Sequence, residues 1–264
     1  MTERYAVIGN PVAHSRSPWI HAEFARATGE DISYERILAP LDGFEGALAA
    51  FRAQGGKGLN VTLPFKQAAY NCSTERTGRA AAAQAVNTLT LGEVIRGDNT
   101  DGVGLVRDIV GNLGVPLSGR KVLLMGAGGA AQGVADALVG AGVGALVIAN
   151  RTLTKAQALA ARFPGVRALA YDTLQGSFDV LVNATSAGLA GEAISLPSRT
   201  MEGALLAYDM VYGRDTPFLA QARAAGVRAC DGLGMLVEQA AESFFVWRGV
   251  RPPTAPVLAK LRGA

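Results

Sequence analysis

Cysteine and histidine are scarce in this chain of 264 residues. The two cysteines, Cys72 and Cys230, lie far apart and in no paired motif. That excludes a disulfide-stapled scaffold and points to free thiols in a reducing compartment. The only histidines are His14 and His21, and neither they nor the cysteines have metal-ligand spacing, so no metal is expected. Charge of one sign is not in excess. The formal net charge of +3 is too small and too evenly spread to suggest nucleic acid, although it suits a small anionic ligand. No apolar run has the length of a membrane span, and no apolar signal segment precedes the strand-like Ala6-Val7-Ile8. A cytoplasmic protein is expected. Internal repeats and low-complexity tracts are lacking too, apart from an alanine-rich helix predicted over residues 80–85.

Hydrophobic residues make up 49% of the chain against 18% charged, enough for a sizeable core. Short apolar runs alternate with amphipathic stretches, the rhythm of a parallel α/β architecture. Strands are predicted over residues 5–8, 32–38 and 58–63, with helices over 18–28 and 44–54 between them. Residues 86–91 and 93–96 read as a hairpin, followed by a helix over 102–112. The breaker-rich stretch 111–119 marks a domain boundary. Beyond it, strands are predicted over 121–125, 145–149, 179–182 and 205–209. The long helix expected over 233–248 has no strand after it, so it is free to fold back onto the first domain. The expected division is a domain over 1–112, joined by helices over 234–264, and a second over 113–233.

The apolar run Val122-Leu123-Leu124-Met125 leads into Gly126-Ala127-Gly128-Gly129-Ala130-Ala131. Strand, G-x-G-x-x-A turn and helix follow in the order of a dinucleotide-binding Rossmann unit. Gly126 permits the tight turn, Gly128 lets the backbone approach a pyrophosphate, and Ala131 lets the helix pack close to the strand. The helix N-terminus supplies N–H donors. At the end of the next strand, where an NAD site carries an acid, stand Asn150, Arg151 and Thr152, with Lys155 one turn on. No carboxylate is there to bind a ribose 2′-hydroxyl, and two cations suit a 2′-phosphate, so the expected cofactor is NADP. The stretch Asn183-Ala184-Thr185-Ser186-Ala187-Gly188 lies at another strand end. It reads as a cofactor-lining loop or as an Asn-capped turn.

Three polar clusters mark the first domain. Ser15 and Ser17 flank the helix start at Pro18, where hydroxyls and free N–H groups hold a carboxylate, although Ser17 reads equally as a plain cap. Asn60, Thr62 and Pro64 alternate with Val61 and Leu63, and Lys66 follows; a lysine there is as readily a solvated surface residue. Asn87 and the run Gly97-Asp98-Asn99-Thr100-Asp101-Gly102 form the third cluster, in which Asp101 also reads as a helix cap.

Taken with Tyr208 to Gly213 and Asp231 to Ala241, these segments follow one another along nearly the whole chain in a pattern that resembles the shikimate dehydrogenases of the short, monofunctional bacterial type. The resemblance implies a two-domain α/β enzyme with an N-terminal substrate domain, a C-terminal Rossmann-type domain and the reaction in the cleft between. It implies reversible reduction of 3-dehydroshikimate to shikimate with NADPH, a step towards chorismate and the aromatic amino acids. Ser15 and Ser17 are then expected to bind the substrate carboxylate and Thr62, Asn87 and Asp101 the ring hydroxyls, with Asn60 supporting that face. Lys66 is expected to be the acid/base, with Asp101 attracting and fixing its ammonium. Tyr212 and Gln239 complete the substrate pocket, and Met210 and Gly232 neighbour the nicotinamide. A quinate or aminated-analogue dehydrogenase is the nearest alternative, and a non-catalytic NADPH sensor the more distant one. The expected assembly is a monomer or homodimer with no nucleic-acid or membrane partner.

Overall fold

The computed structural model describes residues 2–263, so positions 1 and 264 of the expected domains lie outside the described residues. The chain divides into two compact units, one of Met1–Gly104 with Val237–Ala264 and one of Leu105–Leu236.

The first unit is built on a six-stranded sheet. Its strands are β1 (Glu3–Gly9), β2 (Ile32–Leu38), β3 (Gly56–Val61), β4 (Glu75–Arg76), β5 (Thr88–Leu91) and β6 (Ile95–Asp98). The order is β2-β1-β3-β5-β6-β4. β1 runs parallel to both β2 and β3, as the α/β rhythm predicts. The sheet is nevertheless mixed, because β5 is antiparallel to β3 and β6. The turn after Leu91 is too short for the crossover that a parallel pair needs. β3 starts and stops two residues before the predicted strand. It opens at Gly56, where a Cβ would overlap the Phe51 ring, and ends ahead of Pro64, which has no N–H to continue a ladder. The alanine-rich helix is likewise shifted, to Gly78–Ala83, and ends at Gln84 in the left-handed region with φ 51.

The second unit holds β7 (Lys121–Met125), β8 (Ala145–Ala149), β9 (Arg167–Leu169), β10 (Val180–Asn183), β11 (Leu206–Asp209) and β12 (Ala229–Asp231). They are all parallel, in the order β12-β11-β10-β7-β8-β9. This is a doubly wound sheet whose order reverses between β7 and β10, the place where such sheets bind ligands at their carboxyl ends. Separate apolar clusters cover its two faces, one around Leu124, Ile148 and Val182 and the other around Leu123, Val147 and Leu181. The edge strands β9 and β12, like β4, have no counterpart among the strands that the sequence predicts. They are two or three residues long and only partly buried or exposed, so no apolar run announces them.

The helix expected over 102–112 is an α-helix over Asp101–Arg107 that widens to a π turn over Asp108–Asn112. The units part at residues 104/105 rather than 112/113, because Leu105 and Ile109 pack in the core of the second unit with Leu124 and Tyr208. The fully buried Asp108 carboxylate accepts from the Tyr208 hydroxyl at 2.6 Å and from the Asn112 amide at 2.9 Å. The Tyr208 oxygen in turn accepts from the Met235 N–H at 3.2 Å. A Cβ on Gly234 would overlap that carboxylate. Residues 234–236 therefore also belong to the second unit, and the helix Leu233–Arg248 enters the first unit from Val237 onward.

Candidate active site

In the first unit the chain gathers Lys66, Asn87, Thr100, Asp101 and Gln239 into one hydrogen-bonded group. Lys66 opens the helix Lys66–Cys72, where a cation is disfavoured by the exposed N–H dipoles. What offsets this is Asp101, whose Oδ2 accepts from Lys66 Nζ at 2.5 Å. Asp101 stands in the first turn of its own helix, where a carboxylate is favoured, and its N–H donates to Asn99 Oδ1 at 3.1 Å. Asn87 Nδ2 donates to the second carboxylate oxygen at 2.8 Å. The Asn87 amide is oriented in its turn by Thr100, whose N–H donates to Asn87 Oδ1 at 2.9 Å. Gln239 Oε1 lies 3.4 Å from both Asn87 Nδ2 and Thr100 Oγ1. The ion pair is mostly shielded, with side-chain exposures of 19% for Lys66 and 8% for Asp101, yet the lysine keeps a face open. An ammonium with its counter-ion braced on both oxygens can deliver a proton from a defined point.

Asn60 supports this group rather than standing bare. Its Nδ2 lies within 2.9–3.2 Å of the Asn87 carbonyl, Thr88 Oγ1 and Ser243 Oγ, and its Oδ1 accepts from the Tyr34 hydroxyl at 2.7 Å. Behind Tyr34 the fully buried His21 ring stacks at 4.2 Å between centroids. Phe24, Phe244 and Trp247 surround it, and neither of its ring nitrogens makes a hydrogen bond. Burial drives this imidazole down to about 3, a weak contact from Asn60 opposing the shift. Burial also lifts the Tyr34 phenol well above its ordinary range, with Ser17 pulling the other way. In the sequence His21 shows only a lack of metal-ligand spacing and Tyr34 no functional signal, since a lone aromatic on an amphipathic stretch looks like core.

Ser17 is buried and Ser15 half-buried at the start of the helix Ser17–Thr28. The cap position is Arg16, which makes no side-chain cap, so the helix N-terminus keeps donors to offer. Ser15 Oγ accepts from the Ser17 N–H at 3.3 Å, and Arg36 clamps the Ser15 carbonyl at 2.6 and 3.1 Å. Thr62 lies just past the end of β3. Its N–H donates to the Ile8 carbonyl at 2.9 Å, and a Cβ on Gly9 would overlap its methyl group.

The second unit presents a different kind of site. Gly126 has φ 105, and a Cβ there would lie 3.1 Å from the Ala184 carbonyl oxygen and 3.2 Å from the Thr185 methyl. The helix Gly129–Gly140 has Gly128 at its cap and no side-chain cap bond. Cβ atoms on Gly128 or Gly129 would meet open space, and Ala131 is fully buried against the sheet. Uncapped N–H groups beside open space fit a pyrophosphate, with Ala127 and Ala130 completing the turn. Because Met125 registers with Ala149, Asn150 follows directly alongside Gly126. Asn150 Nδ2 donates to the Thr152 carbonyl at 2.9 Å, and Arg151, Thr152 and Lys155 are exposed. On the other side of the reversal, Thr185 donates from both N and Oγ1 to Asn183 Oδ1, so the Asn-capped turn forms at the cofactor edge. Met210 N–H donates to the Asn183 carbonyl at 2.9 Å, and Gly232 N–H to Val211 at 3.1 Å. A Cβ on Gly232 would overlap the Met210 backbone. Tyr212 lies in this unit, half-buried beyond β11, and not in the same unit as the serines. The buried Asp209 carboxylate holds that bend together by accepting from Thr216, Asn183 and Val211, and burial raises it above the usual range. Tyr171, after β9, was missed from the sequence. Burial pushes its phenol up to about 12 against the pull of Arg151 and a hydrogen bond with the Gly126 backbone, which puts an aromatic residue beside the cationic end of the site.

Comparison with known proteins bears on both units. Residues 7–89 match the family model described as the shikimate dehydrogenase substrate binding domain. Residues 106–203 match that of shikimate / quinate 5-dehydrogenase, and 232–262 that of the shikimate 5′-dehydrogenase C-terminal domain. The shikimate dehydrogenase (NADP(+)) of Nitrosospira multiformis is 58% identical, over 100% of this chain and 98% of its own. Among solved structures, an Ael1 enzyme from Pseudomonas putida is 47% identical with a TM-score of 0.95, over 98% of each chain. Shikimate 5-dehydrogenase from Thermus thermophilus, in complex with NADP(H) and shikimate, is 37% identical with a TM-score of 0.89, over 99% of each chain. With three family models matched along the chain and the relatives matched end to end, this chain belongs to the shikimate dehydrogenase family.

Proposed function

We propose that this protein catalyses the reversible, NADPH-dependent reduction of 3-dehydroshikimate to shikimate. It is an NADP-dependent oxidoreductase of aromatic amino acid and chorismate biosynthesis. The observation that carries the mechanism is the Lys66–Asp101 pair at 2.5 Å, braced by Asn87. When bound, NADPH supplies the hydride that reduces the ring ketone. As charge develops on the ketone oxygen, Lys66 Nζ stabilises it and donates the proton. Asp101 holds the ammonium in place and accepts a hydrogen bond from a ring hydroxyl, and Asn87 and Thr62 bind neighbouring hydroxyls. Ser15 and Ser17, at an uncapped helix N-terminus, take the substrate carboxylate. Asn60 keeps that wall in register, while Gln239 and Tyr212 complete substrate binding. In the reverse direction Lys66 must accept a proton, so oxidation of shikimate runs better at alkaline pH.

The residues of the second unit fit NADP. Gly126 shapes the turn, its own N–H being taken by the Ala149 carbonyl, and Ala127, Gly128, Gly129 and Ala130 would hold the pyrophosphate through backbone N–H groups. Arg151 and Lys155 take the 2′-phosphate, and Asn150 and Thr152 border it. Thr185, Met210 and Gly232 line the nicotinamide end. The substrate domain is the first unit and the cofactor domain the second. The enzyme works as a monomer or homodimer, without nucleic-acid or membrane partners. A cytoplasmic location agrees with two cysteines that lie in separate units and in no disulfide.

The test follows nicotinamide absorbance with 3-dehydroshikimate and NADPH or NADH, and with shikimate or quinate and NADP+ or NAD+. The expected result is turnover of 3-dehydroshikimate and shikimate with the phosphorylated cofactor preferred. Faster turnover of quinate, or equal use of NADH, replaces this reading with that of a quinate-type dehydrogenase.

A further inference from the structure

We infer that Arg79 is a positioning residue for this reaction: its guanidinium ties the strand end that presents Asp101 to the helix that presents Gln239. The inference rests on the roles proposed above for Lys66 and Asp101. Arg79 lies in the short helix Gly78–Ala83 and touches none of the reacting groups. Its Nε and Nη2 grip both oxygens of Asp98, at 2.6 and 2.7 Å. Its Nη1 reaches Glu242 Oε1 at 2.9 Å, and the other Glu242 oxygen accepts from Arg251 at 2.9 Å. The two carboxylates are only 5% and 8% exposed. Burial disfavours the charge on Arg79, but bonds to Asp98 and Glu242 outweigh it and hold the guanidinium above its ordinary range.

Two routes lead from Asp98 to Asp101. Along the backbone, Asp98 Oδ1 accepts from the Asn99 N–H at 2.7 Å, and Asn99 Oδ1 accepts from the Asp101 N–H at 3.1 Å. Across the hairpin, the Asp98 carbonyl accepts from the Asn87 N–H at 3.0 Å, and the Asn87 amide donates to Asp101 Oδ1 at 2.8 Å. A separate link runs from Arg79 through Glu242, one helical turn beyond Gln239. The strand end behind Asp101 and the helix that carries Gln239 are thus joined by one planar fork that no point charge reproduces. Asp98 has other donors, Thr77 and Asn99, so the strand end does not need Arg79 in order to stay satisfied. What Arg79 adds is the link from that strand end to the last long helix.

The experiment compares wild type with Arg79→Ala and Arg79→Lys. It measures kcat, KM and the pH profile of 3-dehydroshikimate reduction, with and without guanidinium ion, alongside thermal midpoints. In parallel, the pH dependence of Lys66 modification by an amine-selective acylating reagent is read by mass spectrometry in each protein. Arg79→Ala is expected to lower kcat by about a hundredfold. KM for NADPH should be unchanged, while the pH profiles of turnover and of Lys66 labelling shift together. Added guanidinium should restore part of the rate, and Arg79→Lys should restore less than the wild-type level. A kcat and pH profile equal to wild type in Arg79→Ala overturns the inference, whatever the thermal midpoint does. If Arg79→Ala does not fold, Arg79→Lys decides, and wild-type kcat there overturns it equally. Should the wild type itself fail to turn over the substrate, the functional reading is at fault. The labelling of Lys66, which needs no substrate, then still decides the role of Arg79, an unshifted profile overturning it.

Discussion

The two units build their sites from opposite materials. In the first, the chemistry sits on side chains locked into a buried network: Lys66 on Asp101, Asp101 on Asn87, Asn87 on Thr100. In the second, the site is backbone and open space, with an uncapped helix start at Gly129 and a left-handed Gly126. A mixed sheet with a tight hairpin suits the first task, because it brings the ends of β3, β5 and β6 side by side with different side chains. An all-parallel sheet suits the second, because its order reversal leaves a crevice lined by turns. The lesson is one of sensitivity. The first site is lost by removing atoms, the glycine turn of the second by adding them.

Substitutions can break or sharpen this contrast. The largest effect is expected for Lys66→Ala, with kcat falling by ~10²–10⁴-fold as the proton donor is lost and KM for substrate moving far less. Steady-state kinetics in both directions check it; near wild-type turnover removes Lys66 from the mechanism. Next comes an addition, Gly126→Ala, which forces a left-handed residue against Ala184 and Thr185. Strain of about 1–3 kcal/mol should weaken NADPH and NADH alike by roughly ten- to a hundredfold, read by fluorescence titration. Arg151→Ala should weaken NADPH about tenfold and leave NADH unchanged, as loss of a charge-assisted bond to phosphate requires. Equal losses for both cofactors defeat the phosphate clamp.

A fourth test concerns stability with pH. The folded His21 imidazole is held down at about 3 by burial, while its ordinary value is 6.5. Between those values the unfolded chain binds a proton that the folded chain refuses. Its contribution is complete above about pH 6.5 and is lost as pH falls towards 3, by ~1.4 kcal/mol per pH unit. His21→Phe, in an aromatic nest where neither nitrogen is bonded, should flatten that part of the profile in denaturant melts. An unchanged slope assigns acid sensitivity to other groups. The smallest effect is expected for Gln84→Gly. Gln84 is the one non-glycine with positive φ among the described residues, and relief of that conformation should add up to about 1 kcal/mol of stability.

The second unit was the more legible of the two in sequence. Its central strands are unbroken apolar runs, because parallel strands are buried on both faces, and its glycines stand where local geometry demands them. Only the short edges β9 and β12 passed unnoticed. In the first unit the polar residues could be found but not joined. Lys66 read as readily as a solvated lysine, and Asp101 as a cap. The glycine- and proline-rich stretch near residue 112 reads as a domain boundary, whereas Leu105 and Ile109 already lie in the second core. Breakers mark where a helix ends, not which core its apolar face has joined.

Taken by itself, the sequence determined what is local: the turn at Gly126, the missing acid at Asn150, the cations Arg151 and Lys155, the alternation of strands and helices, and the long helix from Leu233. These follow from steric and periodic rules that act within a few residues. Only the tertiary structure decided the pairings. Lys66 meets Asp101 because β3 lies beside the hairpin of β5 and β6, and Arg79 meets Glu242 because the last long helix returns to the first unit. A buried charge must find an opposite charge or a donor, and which one it finds depends on strand register and helix docking set by the core as a whole.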